Sequence, residues 1–392
     1  MANRTLPQLV SRGSQQTSDF FPSVRVRVHS RPCTPRRQRS DVSLIISSYS
    51  GSARETEANN EGISSLLQTD NLKRADSAYP RAPGRTCPVD YRYSPAVFDR
   101  TPDLCADTLY VVGGLYGNTE ALGAVQLLTE RDPTARFVFN GDFHWFDADP
   151  ELFAHVDQLV GDRGLRGNVE SELARYDVQD PENVGCGCSY PPNVDDAVVE
   201  RSNRIHARLA TVTTAEQRAR LGGLPMHLTA QVGRRNIAIV HGDAESLAGW
   251  GFGIDMLDEP SHEGTLLDWF TESKVDAFIC THTCLPAWRS FDFGKHRGVV
   301  MNNGAAGMPN VKGERFGIVI RVASSASCAP PVAPLFTHRL HGLEYQAIPL
   351  HYDYEAWWET FQGLWPPGSD AYESYAQRIL HGTELDLGLA GK

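Results

Sequence analysis

The sequence predicts an α/β protein, on three observations: apolar runs of four or five residues, amphipathic stretches with apolar residues recurring at three and four, and alternation of the two, punctuated by polar or Gly-containing turns. Strands are expected at Leu109–Val112, Phe137–Asn140, Ile237–Val240, Ala277–Cys280 and Val299–Asn302. Helices are expected over Thr119–Glu130, Pro150–Val160, Asp195–Ala210, Ala215–Leu221 and Leu266–Lys274. Further on, "RFGIVIRVAS" and "THRLHGLEYQAIPL" alternate every second residue and leave little room for helix, which predicts antiparallel strands closing a second sheet. The stretch "YEAWWETFQGLWPP" predicts an aromatic-rich helix that packs on the domain.

Composition narrows the function classes. With 392 residues and 41% apolar residues the chain can bury a sizeable core. A net charge of −11 argues against a non-specific grip on nucleic acid, whose phosphates need a basic face. A small anionic substrate is still allowed, because one local Arg or metal outweighs a distant field. No run approaches the roughly 20 apolar residues of a membrane span, so no membrane partner is expected. The eight cysteines lack the density of a disulfide framework, and reduced thiols in an intracellular compartment are expected. The tight pair Cys186 and Cys188 reads as either a redox or metal element or a Gly-rich loop with incidental thiols.

The chain divides by texture. Residues 1–85 are rich in Ser, Arg and Thr, with an acid-poor "RPCTPRRQRS", and read as a transit-type leader for an organelle matrix or as a disordered tail of a cytoplasmic protein. Residues 86–350 carry the α/β pattern, with an inserted helical segment at about 176–226, and 351–392 form a helical tail. The helix from Asp195 would serve as a lid that selects substrate and excludes water, or would be an ordinary charged surface helix.

Four turns after predicted strands hold potential metal ligands: "NGDFHWFD" with Asp142, "RGNVES" with Asn168, "IVHGDAES" with His241 and "CTHTCLP" with His282. Loops beyond the strand ends of an α/β sheet converge on one crevice, so ligands distant in sequence can meet there. A carboxylate, an amide oxygen and two imidazoles suit Mn, Fe or Zn better than Ca.

In this order the motifs resemble those of the calcineurin-like metallophosphoesterases, especially the branch with a DxHGN first motif. The resemblance covers roughly Leu109 to Pro309, from the Gly-Asn turn of "GGLYGN" through GD, GN, HG and a degenerate GHTH to "NNGAAGMP". It implies a four-layer α/β/β/α sandwich of two mixed sheets and a site for two metals. It further implies that Asp142 matches the bridging carboxylate, Asn168 the amide ligand, His241 the HG histidine and His282 the first histidine of GHTH. The departures are Gly114 and Tyr116 in place of the Asp and His of DxHGN, and Cys284 in place of the last histidine. All three fall on the set of one ion and spare the other.

The resemblance therefore implies one divalent ion, Mn, Fe or Zn, and leaves the second ion's set incomplete. Cys284 is either a soft ligand keeping a weak second position with Tyr116 or His144, or an inert small residue. The expected activity is hydrolysis of a small phosphomonoester or phosphodiester, with Tyr116 and His144 as candidate acids at the leaving oxygen and Asn118 and Arg166 as candidate substrate contacts. The alternative is a non-catalytic fold that binds a ligand or partner in the same crevice; a third reading is a metal enzyme of other chemistry.

Overall fold

The apolar runs become the inner strands of two six-stranded sheets. The computed structural model describes residues 83–85, 87–179, 185–325 and 327–391, and the leader expected over 1–85 lies almost wholly outside them. The strands are β1 (Leu104–Ala106), β2 (Thr108–Val112), β3 (Arg136–Asn140), β4 (Gly164–Leu165), β5 (His227–Val232) and β6 (Arg235–Val240). They continue with β7 (Ala277–Cys280), β8 (Pro286–Asp292), β9 (Arg297–Asn303), β10 (Gly317–Ser324), β11 (Phe336–Leu340) and β12 (Leu343–Leu350). One sheet has the order β1-β5-β6-β7-β9-β8 and the other β11-β12-β10-β2-β3-β4. Strands β2, β3 and β4 run parallel, as do β6, β7 and β9, while β10 joins β2 and β12 antiparallel. Both sheets are mixed.

Alternation along each strand sorts the side chains into layers. Leu109 and Val111 of β2 face inward with Ile318 and Ile320 of β10, and meet Ile237, Ile239, Ile279 and Met301 of the opposite sheet. Tyr110 and Val112, one residue out of phase, face the helices α1 (Thr119–Arg131), α2 (Pro150–Val160), α4 (Asp196–Ala210), α7 (Tyr354–Leu364) and α8 (Asp370–His381). Two shorter helices in the same chain order are α3 (Asn168–Arg175) and α5 (Ala215–Gly223). On the far side of the other sheet, Leu266, Trp269 and Phe270 of α6 (Glu263–Ser273) pack with Phe278 and Val300. The result is the expected α/β/β/α sandwich. No helix of the described residues is long and apolar enough to cross a membrane.

Two buried asparagines tie the sheets together at one end. Asn140 at the end of β3 donates through Nδ2 to Val240 O across the interface at 2.6 Å. Asn303 at the end of β9 donates from Nδ2 to Gly113 O and to Ile318 O, each at 2.9 Å. These bonds lie at the C-terminal ends of β3, β9 and β2, the same ends that carry the ligand-bearing turns. They fix how far apart those turns stand.

Helices α7 and α8 are built into the helical layer, and Ala390 beyond them packs between the sheets. Trp357, Phe361 and Ile379 are fully buried, and Trp365 Nε1 donates to Phe146 O at 2.8 Å. Phe361 stands edge-on to Phe146, with ring centroids 5.1 Å apart. Among the described cysteines, Cys87, Cys186, Cys188, Cys280, Cys284 and Cys328 are free and Cys105 is disulfide-bonded, a departure from the expectation of reduced thiols. Truncating Phe361→Ala removes a fully buried ring and should cost about 3–5 kcal/mol in urea unfolding; a loss below about 1 kcal/mol would mean the C-terminal helices are peripheral.

Candidate metal centre

Four loops at the strand ends bring four donor atoms to one point. Around His241 Nε2 stand Asn168 Oδ1 at 3.1 Å, His282 Nδ1 at 3.3 Å and Asp142 Oδ2 at 3.4 Å. Asp142, His241 and His282 form a group whose ligand atoms all lie within 4.8 Å of one another, and all three are buried. The four ligands expected from the sequence are thus placed together, and their chemistry suits a divalent ion.

Each of the four side chains is aimed by the backbone, three by a carbonyl and Asp142 by an amide. His241 Nδ1–H donates to Asn140 O at 2.9 Å, which fixes the tautomer and turns Nε2 toward the other donors. His282 Nε2–H donates to Cys188 O at 3.1 Å and leaves Nδ1 facing inward. Asn168 Nδ2 donates to Cys186 O at 2.7 Å, so its Oδ1 points at the site. The "GCGC" loop therefore acts through its carbonyls. Asp142 Oδ1 accepts from Val169 N at 3.2 Å, freeing Oδ2.

Charge follows from this geometry. Burial acts to raise the Asp142 carboxyl, but the neighbouring His241 and the Val169 amide outweigh it and hold it below the ordinary range. Burial acts to lower His241, and the Asp142 charge overcomes it and raises the imidazole. His282, desolvated and beside His241, is pushed down to about 3. His241 Nε2 faces the point where the donors converge, so a proton there and a bound ion would exclude each other.

Sequence reading missed the residue that holds two of these turns. The Glu170 carboxylate is fully buried and accepts from Asp142 N and Gly167 N at 2.8 Å, Phe143 N at 3.0 Å and His144 N at 3.3 Å. Gly167 must be glycine, because a Cβ there would stand 2.3 Å from Asp142 Oδ1 and 2.8 Å from His241 Cε1.

On the side where the resemblance implies a second ion's ligands, the Tyr116 ring lies against Gly114. Gly114 has φ +63°, and a Cβ on it would meet the Tyr116 ring at 2.8–2.9 Å. The Tyr116 hydroxyl and Cys284 Sγ lie 2.8 Å apart in a hydrogen bond. Burial, then Cys284 and Asp142, push the Tyr116 phenol well above its usual value, and burial likewise raises the Cys284 thiol against the opposing charge of Arg378. Both shifts favour the protonated forms of the two groups. Tyr116, Asp142 and Cys284 all have positive φ, of 57°, 50° and 59°. Such strain in non-glycine residues gathers at functional sites.

A cavity of about 190 Å³ opens onto this point. Tyr116, Asp142, Asn168, His282 and Cys284 line it, with Cys188, Tyr190, Trp250, Tyr375 and Arg378 contributed by segments carrying no recognisable motif. From the inserted segment, it is the loop around Cys188 and Tyr190 that reaches the cavity. Helix α4 instead packs Ile205 and Leu209 into the core.

Three expected site residues point elsewhere. His144 is fully buried away from the cavity, stacked on Phe153 with centroids 3.7 Å apart, and bonded through Nδ1 to Asp147 at 2.6 Å. Asp142, at positive φ, reverses the chain between them and sends the two side chains apart. Asn118 caps α1, accepting from Ala121 N at 2.9 Å, and donates to Gly307 O. Arg166 donates to Gly222 O at 2.9 Å at the end of α5. None of the three lines the cavity.

The architecture, two mixed sheets whose parallel strands deliver the GD, GN, HG and THT turns to one point, answers to the resemblance drawn from the motifs. The fold is an α/β sandwich of two mixed six-stranded sheets. Solved structures similar to this chain include a hypothetical protein from Pyrococcus horikoshii OT3, at 16% identity over 71% of this chain and 99% of that one, with a TM-score of 0.49. Another is a metallophosphoesterase from Sphaerobacter thermophilus, at 13% identity over 71% of this chain and 100% of that one, with a TM-score of 0.44. No family model matches the sequence, and no curated protein does.

The position of His144 makes a pH prediction. Burial lowers its pKa, but Asp147 and Asp157 outweigh it and carry the imidazole up to about 9 from about 6.5 in the unfolded chain. A raised pKa stabilises the fold fully below about 6.5 and loses that contribution as pH rises through about 9. The stability gap between the wild type and His144→Gln, measured by urea unfolding, should therefore be widest near pH 6 and shrink toward pH 10. A gap independent of pH would show that folding does not raise the pKa of the ring.

Proposed function

We propose that the chain is a metal-dependent phosphoesterase that hydrolyses a small phosphomonoester or phosphodiester at a mononuclear site. The observation that carries this reading is the division of the site. Asp142, Asn168, His241 and His282 present four converging donors, while the positions that would serve a neighbouring ion hold a glycine, a phenol and a thiol, the last two bonded to each other. Asp142, Asn168, His241 and His282 would hold the ion, which when bound supplies Lewis acidity and lowers the pKa of a coordinated water. Its identity lies among Mn, Fe and Zn.

The remaining work falls to the chain. Hydrolysis forms a bond from water oxygen to phosphorus, breaks the bond to the leaving alcohol and moves a proton from that water to the leaving oxygen. Tyr116, whose phenol is held protonated by burial, is suited to donate a hydrogen bond toward that oxygen rather than to give up its proton. Trp250 and Tyr190 wall the cavity and reduce its access to water. Its volume of about 190 Å³ lies below the roughly 300–1,000 Å³ of drug-sized ligand pockets and favours a small substrate.

The test is hydrolysis of 4-nitrophenyl phosphate and bis(4-nitrophenyl) phosphate with added Mn, Fe(II) or Zn, by the wild type and by His241→Ala. Wild-type turnover with one of these ions is expected, falling about 100-fold or more in a folded variant that no longer retains metal. Wild-type protein that holds the ion but turns over neither ester would favour a non-catalytic crevice for a ligand or partner. Unchanged activity in His241→Ala would make His241 a core residue.

A further inference from the structure

The cavity contains a cation that no motif announces. Arg378 sits in the last turn of α8 and reaches across to the ligand loops. Its Nε donates to Pro309 O at 3.1 Å, and its Nη2 to Cys284 O at 2.7 Å and Asn310 Oδ1 at 3.3 Å. All three acceptors are neutral. Among the described ion pairs none involves Arg378, and its Nη1 has no hydrogen-bond partner among the described residues. Other arginines are held differently: Arg289 is paired with Asp258 and Arg220 with Asp157, while the fully buried Arg321 donates to Gln346 Oε1 and Cys328 O, away from this cavity.

Nor is the side chain free to swing away. Ala371, Ala376 and Ile379 bury the inner face of α8, Arg204 clamps Asp370 at its start, and the bond to Cys284 O fixes the guanidinium beside the Tyr116 and Cys284 pair. That pair occupies the half of the site that lacks ligands. The cationic head therefore stands next to the place where positive charge would otherwise be missing.

We propose that Arg378 is the anion-binding residue of this cavity, gripping a phosphoryl oxygen and supplying the positive charge that the emptied half of the site cannot hold as a second ion. The inference rests on the phosphoesterase reading and extends it to a substrate class. Asp142 is the single carboxylate among the residues lining the cavity. With one divalent ion, one carboxylate and one guanidinium, the lining carries a net charge of +2 and best matches a dianion, which is a phosphomonoester rather than a diester. The unpartnered Nη1 suits an oxygen acceptor, and an arginine fork holds phosphate oxygens with a geometry that lysine lacks. Tyr190, Trp250 and Tyr375 add aromatic surface to the same cavity.

The test is calorimetric titration of inorganic phosphate into metal-loaded full-length protein, with dimethyl phosphate as the monoanionic control, for the wild type, Arg378→Gln and Arg378→Lys. The wild type should bind phosphate more tightly than dimethyl phosphate. Arg378→Gln should weaken phosphate about ten- to hundredfold with unchanged metal content, while Arg378→Lys should recover part of the loss. Should Arg378→Gln fail to fold, Arg378→Lys, which keeps the charge and loses the fork, still must weaken phosphate relative to the wild type. Phosphate binding unchanged in both variants overturns the role of Arg378 and leaves the phosphoesterase reading intact. Absence of phosphate binding by folded, metal-loaded wild type overturns both.

Discussion

The site depends first on one buried carboxylate. Glu170 has no contact with solvent and would be costly to bury alone, yet it accepts four backbone N–H groups drawn from two separate turns. Burial and the nearby Asp142 push its pKa up, and the four donors hold it as an acceptor. Those turns follow β3 and β4, and they carry Asp142 and Asn168. Pinned to a common acceptor, the two ligands stand at a fixed separation with or without an ion. The seam bonds of Asn140 and Asn303 do the same between the sheets, setting the turns after β3 and β4 against those after β6 and β7. The donor cluster is consequently a property of the backbone, and the carbonyls of Asn140, Cys186 and Cys188 supply only the final orientation of each ring and amide.

Beside the four donors, the space on the Gly114 side is filled by Tyr116 and Cys284. Where a ligand turn would place a carboxylate and an imidazole, Gly114 makes room for the Tyr116 ring, and Tyr116 accepts a left-handed backbone to reach Cys284. The strain at Tyr116 and Cys284, of order 1 kcal/mol or more for each residue, persists because the surrounding loops over-determine it. Gly114 N and Tyr116 N donate to Gly141 O and Asp142 O, so the turn carrying Tyr116 is strapped to the one carrying Asp142. Positive charge enters instead from α8, an element at the other end of the sequence.

The sequence made the scaffold and the four converging donors legible, and for a physical reason. A buried parallel strand must be an unbroken apolar run, and the turn after it must tolerate close backbone approach, so "FVFNGD", "AIVHGD" and "AFICTHT" advertise both strand and ligand. Short or edge elements gave no such signal: β4 is two residues long and α3 eight, too brief for periodicity to show. Glu170 could have been noticed, since it stands three residues after the Gly167 cap of α3, where a capping-box side chain belongs. Arg378 could not, because its role depends on where α8 docks and no local pattern encodes that. His144 illustrates the opposite error. Nearness in sequence to Asp142 suggested a shared site, and the positive φ of Asp142 turned the imidazole into the core.

The claim on which the account turns is that one ion's binding set is complete and its neighbour's is not. Titration of metal-free, full-length protein with Mn or Zn, followed by dialysis and elemental analysis, measures this directly. One tightly retained ion per chain is the predicted result, with His282→Ala abolishing retention and Cys284→Ala leaving it unchanged. Two retained ions per chain, or loss of the ion in Cys284→Ala, would contradict it.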